Sequence, residues 1–270
     1  MKLQDRTILI TGASSGIGHM IAVYLGSQKA RLLLVGRDAA ALKETQAGIV
    51  AAGGKADLLV ADLLIQGDRQ RVVDFCAGLE NGLFGLINNA GCNHFALLAD
   101  QTEVQLQNQL NLNLLVPMLL TRALLPLLQK QQGARILNIG STFGSIGYPG
   151  YSPYCASKFG LRGFTEALRR ELADSDIKVL YFAPRATATK LNSDNVVALN
   201  RELGNVMDPV EQVAHKIGDI FIAGGPAQVF WGWPEKLFAR INQLFPSLVD
   251  SALLKQLPVI KKYARNTKGV

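Results

Sequence analysis

The sequence predicts an α/β fold: a doubly wound parallel sheet flanked by helices, followed by a helical C-terminal extension. Three observations carry this. Short apolar runs alternate with segments of helical periodicity through residue 232. The first apolar run passes through a glycine-rich turn directly into a helix. Beyond residue 232 the strand pattern stops, and apolar residues recur at helical spacing.

Composition sets the bounds. A chain of 270 residues, 49% hydrophobic and 18% charged, can bury a sizeable core. Its 28 basic and 21 acidic residues give a net charge of +7, without the aromatic-interleaved basic run that nucleic-acid binding favours. Cys76, Cys92 and Cys155 are odd in number and far apart. That argues against a disulfide framework or a metal site and fits a reducing cytosol. Lys2, Asp5 and Arg6 precede the first strand, so no signal peptide is expected. The uncharged run 220–234 is too short and too rich in Gly and Pro to span a bilayer. The expectation is a cytoplasmic protein, at most peripheral to a membrane.

Residues 7–10 (TILI) read as the first strand, and TGASSGIG (11–18) opens the first helix. In that context Gly12 permits a tight turn, Gly16 lets backbone approach a diphosphate, and Gly18 lets helix pack on strand. Ser14, Ser15 and Ile17 complete a cradle whose helix N-terminal amides hold the anion. The second strand, RLLLV (31–35), ends in Gly36, Arg37 and Asp38. An acid at this point usually holds the ribose of a cofactor without a 2′-phosphate, whereas an arginine accommodates the phosphate. Gly36 stands where the acid is expected, so Arg37 favours NADP(H). The alternative is a solvated Arg37, with Asp38 capping the next helix.

The third strand, ADLLV (56–60), leads to Asp62 and Leu63, expected at the adenine edge. After a helix near 67–80, GLINNAG (85–91) is the fourth strand; Asn89, Ala90 and Gly91 lie at its carboxyl end, where a cofactor passes. The helix 109–126 is apolar almost all round, so Asn111 and Asn113 stand out. The strand ARILNIG (134–140) delivers Ser141 to the sheet edge where open parallel sheets bind ligands. Tyr154 and Lys158 then lie one turn apart on a helix that continues through 159–172. The ammonium is expected to favour the phenolate and draw the phenol, ordinarily near pKa 10, toward neutrality. Strands KVLYFA (178–183) and AQVFWG (227–232) complete the sheet.

TGASSGIG, NNAG and the Ser141/Tyr154/Lys158 constellation, in this order and spacing, resemble the short-chain dehydrogenase/reductase family over roughly residues 5–232. The resemblance implies one Rossmann-type domain holding both cofactor and catalytic residues. It implies an NADP(H)-dependent oxidoreductase interconverting a carbonyl, expected to be a hydrophobic ketone, and a secondary alcohol. Within it Asn113, with Asn111 as rival, would sustain a local helix distortion and proton relay. Ser141 would hold the substrate oxygen and Tyr154 exchange its proton. Lys158 would lower the phenol's pKa and meet the nicotinamide ribose. Pro184, Thr187 and Thr189 would approach the nicotinamide, residues 190–206 would form a mobile lid, and His94 would be a loop residue beside the site. His19 and His215 read as surface helix residues. Arg185 departs from the family, which usually has glycine there. Either the backbone avoids positive φ, or the arginine lines the site and meets an anionic group. The alternatives are an NAD-dependent alcohol or hydroxy-acid dehydrogenase and a dinucleotide-binding regulatory or scaffold protein.

Residues 1–232 thus form the expected dinucleotide-binding and catalytic domain, and 233–270 an amphipathic helical extension. Leu237, Phe238, Ile241, Leu244 and Phe245 mark its helix, and Lys255, Lys261, Lys262, Arg265 and Lys268 its basic end. It reads as a lid, a subunit contact or a membrane-surface contact. Family members commonly pair through the helices that here span about 103–130 and 153–173, with Leu110, Leu114, Leu120, Phe159 and Phe164 as candidates. A tail helix burying its apolar stripe near the last strand would obstruct a second pairing, so a homodimer is expected.

Overall fold

The computed structural model describes residues 3–265, so Lys2 and Lys268 lie outside the described residues. Seven strands, β1 (Thr7–Thr11), β2 (Arg31–Gly36), β3 (Lys55–Val60), β4 (Gly85–Asn88), β5 (Arg135–Ile139), β6 (Lys178–Ala183) and β7 (Gln228–Phe230), form one sheet. All are parallel, in the order β3-β2-β1-β4-β5-β6-β7. The order reverses between β1 and β4, which opens a crevice at their carboxyl ends. The connecting helices are α1 (Gly16–Ser27), α2 (Ala39–Ala51), α3 (Gln66–Ala77), α4 (Glu103–Leu110), α5 (Val116–Leu128), α6 (Ser152–Glu171), α7 (Asp194–Glu202) and α8 (Val210–Ala223). The tail forms two helices where one was expected, α9 (Glu235–Leu244) and α10 (Pro246–Arg265).

Strand periodicity sorts the core into two layers. Ile8 and Ile10 of β1, with Leu32 and Leu34 of β2, pack under α1, α2 and α8. Leu9 of β1, with Leu33 and Val35 of β2, faces the other way and packs under α3, α5 and α6. These strands are buried on both faces, which is why they read as continuous apolar runs. The fourth strand ends at Asn88, three residues before the expected boundary, and releases the rest of NNAG into the crevice.

A longer apolar stretch than 220–234 lies in Glu103–Leu128, which is long and apolar enough to cross a membrane by length and composition alone. Here it packs on β4, β5, α3 and α6. Leu120, expected on a subunit surface, belongs instead to the core under the sheet, because its turn of α5 faces the strands. Leu110 and Phe159 are exposed as expected, joined by Leu115 and Met118. His215 is exposed and packs against the Tyr24 ring at a tilt, whereas His19 is half-buried and hydrogen-bonded to Thr45.

Candidate active site

The glycine turn is built from contacts that a side chain would forbid. Gly12 adopts φ +64°, and a Cβ there would lie 2.8 Å from the Cα of Ala90. A Cβ on Gly18 would lie 2.3 Å from the carbonyl oxygen of Gly12, so α1 can close on β1 only at a glycine. Asn89 staples the turn from the neighbouring strand: its Nδ2 donates to the carbonyls of Thr11 (3.0 Å) and Gly12 (3.2 Å). The Thr11 hydroxyl accepts in return from the amides of Asn89 and Ala90, each at 3.0 Å. Asp38 caps α2 through bonds from the amides of Ala40 and Ala41. Arg37 is exposed, lines the crevice, and makes no ion pair among the described residues.

The crevice is a cavity of about 660 Å³. Every residue expected at the site lines it except Gly18 and Asn113, which stand directly behind its wall. Asn113 is fully buried and Asn111 exposed, which separates the two candidates. Both lie in one π-helical turn, Asn111–Leu115, between α4 and α5. Pro117 has no N–H for the carbonyl four residues back, that of Asn113, and the helix opens there. The Asn113 side chain clamps Cys92, accepting from its amide and donating to its carbonyl, both at 2.8 Å. It also donates to the Ser157 hydroxyl (3.1 Å), which in turn donates to the Tyr154 carbonyl (2.7 Å). Ser157 was not among the expected residues; its position three beyond Tyr154 was the available signal.

Tyr154 and Lys158 project from one face of α6 into the cavity, both buried. The Lys158 ammonium donates to the Ile139 carbonyl (3.0 Å) and stands 5.7 Å from the centroid of the Tyr154 ring. The expected downward shift of the phenol is reversed. Burial pushes Tyr154 up to about 12, with the hydrogen-bonded Ser141 hydroxyl pulling only partly back. Burial likewise draws Lys158 down to about 8. Withdrawal from water outweighs the mutual attraction expected from spacing, so the phenol holds its proton at neutral pH.

Arg185 resolves its two alternatives together. Its backbone is not at positive φ, and its side chain lines the cavity but meets an anionic group of the protein itself. Nη2 and Nε pair with the two carboxylate oxygens of Asp208 at 2.6 and 2.9 Å, and Nη1 donates to the Trp233 carbonyl. The Thr187 hydroxyl is turned to the Arg185 carbonyl (3.0 Å), while Pro184 and Thr189 face the cavity. His94 is held through its amide by Gln109 and does not line the cavity.

The far end of the cavity is apolar, a feature the sequence pattern did not reveal. Phe143, Tyr148 and Tyr151 form a ring cluster beside Tyr154. Val196 and Leu199 of α7, Phe238 of α9, and Val249 and Leu253 of α10 close over it. Glu202 of α7 accepts from Lys262 and Tyr263 of α10, each at 2.6 Å, so the lid helix and tail hold each other. The stripe expected to be buried is only partly so. Ile241 packs with Phe230 and Ile146, but Leu237, Phe238, Leu244 and Phe245 stay exposed. The inward face of α9 is marked instead by buried Ala239 and by Asn242, which donates to the Ser145 carbonyl (2.8 Å).

Comparison with known proteins agrees with this geometry. The family model for short chain dehydrogenase matches residues 6–199. The chain is 35% identical over 199 residues to a 3-oxoacyl-[acyl-carrier-protein] reductase of Bos taurus, covering 74% of this chain and 81% of that one. It is 29% identical over 255 residues to a ketoacyl reductase of Nostoc sp., covering 92% and 88%. A short-chain dehydrogenase from Sphingobium yanoikuyae in complex with NADPH superposes with a TM-score of 0.76 at 27% identity, over 93% of this chain and 95% of that one. With the glycine turn, the NNAG staple and the Tyr154/Lys158 pair held on one parallel sheet, the chain belongs to the short-chain dehydrogenase family of oxidoreductases.

Proposed function

We propose that the protein is an NADP(H)-dependent reductase that converts a hydrophobic ketone to a secondary alcohol. The observation that carries this reading is the convergence of Ser141, Tyr154 and Lys158, backed by Asn113, on a cavity that begins at the glycine turn and ends against a cluster of aromatic and aliphatic side chains. The residues fit the cofactor: the turn at Gly12 and Gly16 lines the cavity without a side chain where a diphosphate would lie, and Arg37, with no ion pair among the described residues, offers a cation to a 2′-phosphate. When bound, the nicotinamide supplies the hydride. Tyr154 gives its proton to the carbonyl oxygen while Ser141 holds that oxygen by a hydrogen bond. The Lys158 charge stabilises the phenolate left behind, and Asn113 fixes the Cys92 loop against α6. The domain through residue 232 supplies the chemistry, and α9 and α10 close the substrate end. Exposed Leu110, Leu115, Met118 and Phe159 suit pairing with a second copy, and α9 against Phe230 obstructs pairing through β7; the reading is a cytoplasmic homodimer.

Oxidation of NADPH by a panel of ketones graded in chain length tests the activity. Apolar ketones are expected to turn over fastest, and a chain that binds NADPH but turns over no carbonyl would be the regulatory protein instead. Reduction needs Tyr154 protonated and Lys158 charged, and both hold below about pH 8. As pH rises above that value Lys158 loses its proton first, so kcat/KM should fall about tenfold per unit. A profile flat to pH 10 would remove Lys158 from the mechanism. Arg37→Ala should weaken NADPH, but not NADH, by about 1.5–3 kcal/mol, or roughly 10- to 150-fold. Equal loss for both cofactors would make Arg37 a bystander.

A further inference from the structure

We propose that the outer face of α9 and α10 docks on an anionic lipid surface. Seven of the twenty exposed large apolar side chains among the described residues fall within residues 233–254; Trp233 and Phe238 border the cavity mouth, and Leu237, Leu244, Phe245, Leu248 and Leu254 lie outside it. Trp233, Leu244, Phe245, Leu248 and Leu254 are each more than half exposed. Trp233 carries the Lys236 ammonium over its ring at 5.8 Å, a pairing suited to a headgroup boundary.

Charge selects the occupant. Residues 233–270 hold seven basic and two acidic residues, a net +5 of the chain's +7. Leu248, Lys255, Lys262 and Arg265 recur at whole-turn spacing along the exposed side of α10, with Lys261 beside them. Lys262 is paired with Glu202, whereas Lys255, Lys261 and Arg265 make no ion pair among the described residues. Apolar and cationic groups on one helical face match a surface that offers both acyl chains and anionic headgroups. The opposite faces of the same helices carry Phe238, Val249 and Leu253 into the cavity. Docking would therefore set the apolar end of the site about one helix diameter, roughly 10 Å, from the lipid. The proposal goes beyond the reductase reading and does not depend on it.

Cosedimentation of the full chain with phosphatidylcholine vesicles, with and without phosphatidylglycerol, tests it. Binding is expected only with phosphatidylglycerol present, with a blue shift of tryptophan emission that Trp233→Phe removes and release in 1 M salt, where the screening length is about 3 Å. The triple variant Lys255→Glu/Lys261→Glu/Arg265→Glu should bind at least about a hundredfold more weakly, each charge contributing near the surface. Its turnover of a water-soluble ketone should be unchanged, so loss of docking and loss of catalysis are read separately. Absence of binding by the intact chain overturns the proposal, as does equal binding to uncharged vesicles. A soluble oligomer that Leu248→Ser dissociates, with no vesicle binding, would show that a second copy covers this face, and would overturn it too.

Discussion

Replacing Tyr154 with phenylalanine lowers turnover by at least about a hundredfold and leaves NADPH binding in place. The substitution removes one hydroxyl and keeps the ring. That ring packs with Tyr151 at 5.7 Å and Phe143 at 6.5 Å between centroids, so the wall of the site should stand. Ser141 would still hold a carbonyl oxygen, but no neighbouring group could give it a proton: Lys158 is engaged with the Ile139 carbonyl. A hundredfold loss corresponds to about 2.7 kcal/mol of transition-state stabilisation. Single-turnover kinetics beside a binding titration separate the chemical step from cofactor affinity. Near-normal turnover in the phenylalanine variant would sink the mechanism. Lys158→Met should lower turnover and cofactor affinity together, because this ammonium is assigned to both.

The parts of the site that were legible in the sequence are those that depend on local spacing. Gly12, Gly16 and Gly18 announce a turn whose geometry lies within eight residues, and Tyr154/Lys158 share a helix face by periodicity alone. What depends on distant packing was not. The partners of Asn113, the Cys92 backbone and the Ser157 hydroxyl, lie 21 and 44 residues away. The direction of the Tyr154 shift turns on burial, to which the ring cluster and the tail both contribute, and the tail lies about a hundred residues further along the chain. The lid–tail clasp joins Glu202 to Lys262 and Tyr263 across some sixty residues.

Arg185 shows what such distant partners do, and breaking its pair should bring the largest loss of stability. Arg185→Ala leaves the Asp208 carboxylate, 11% exposed, without its cation. Removing one member of a fully buried pair costs about 3–5 kcal/mol. Residual exposure of both side chains brings the expectation here to about 2–4 kcal/mol. A melting temperature lower by about 5–10 °C would follow for a domain of this size. The loss should reach the substrate end, because three segments meet at this guanidinium. Asp208 is tied by its backbone to Ala186 and Ala188, and the Trp233 carbonyl begins the tail. Gly232, at φ +103°, is the position that lets the arginine stem pass; a Cβ there would lie 2.4 Å from Arg185 Cδ. KM for an apolar ketone should therefore rise more than NADPH affinity falls, since the glycine turn lies elsewhere and only the 184–189 segment of the cofactor site adjoins the pair. The double variant Arg185→Ala/Asp208→Ala should be less destabilised than the two single losses added, by about 1–3 kcal/mol, because it leaves no buried charge unpaired. Thermal unfolding of the three variants measures that coupling. If Arg185→Ala melts with the parent chain, or the single losses simply add, the pair is not the brace that joins substrate loop and tail.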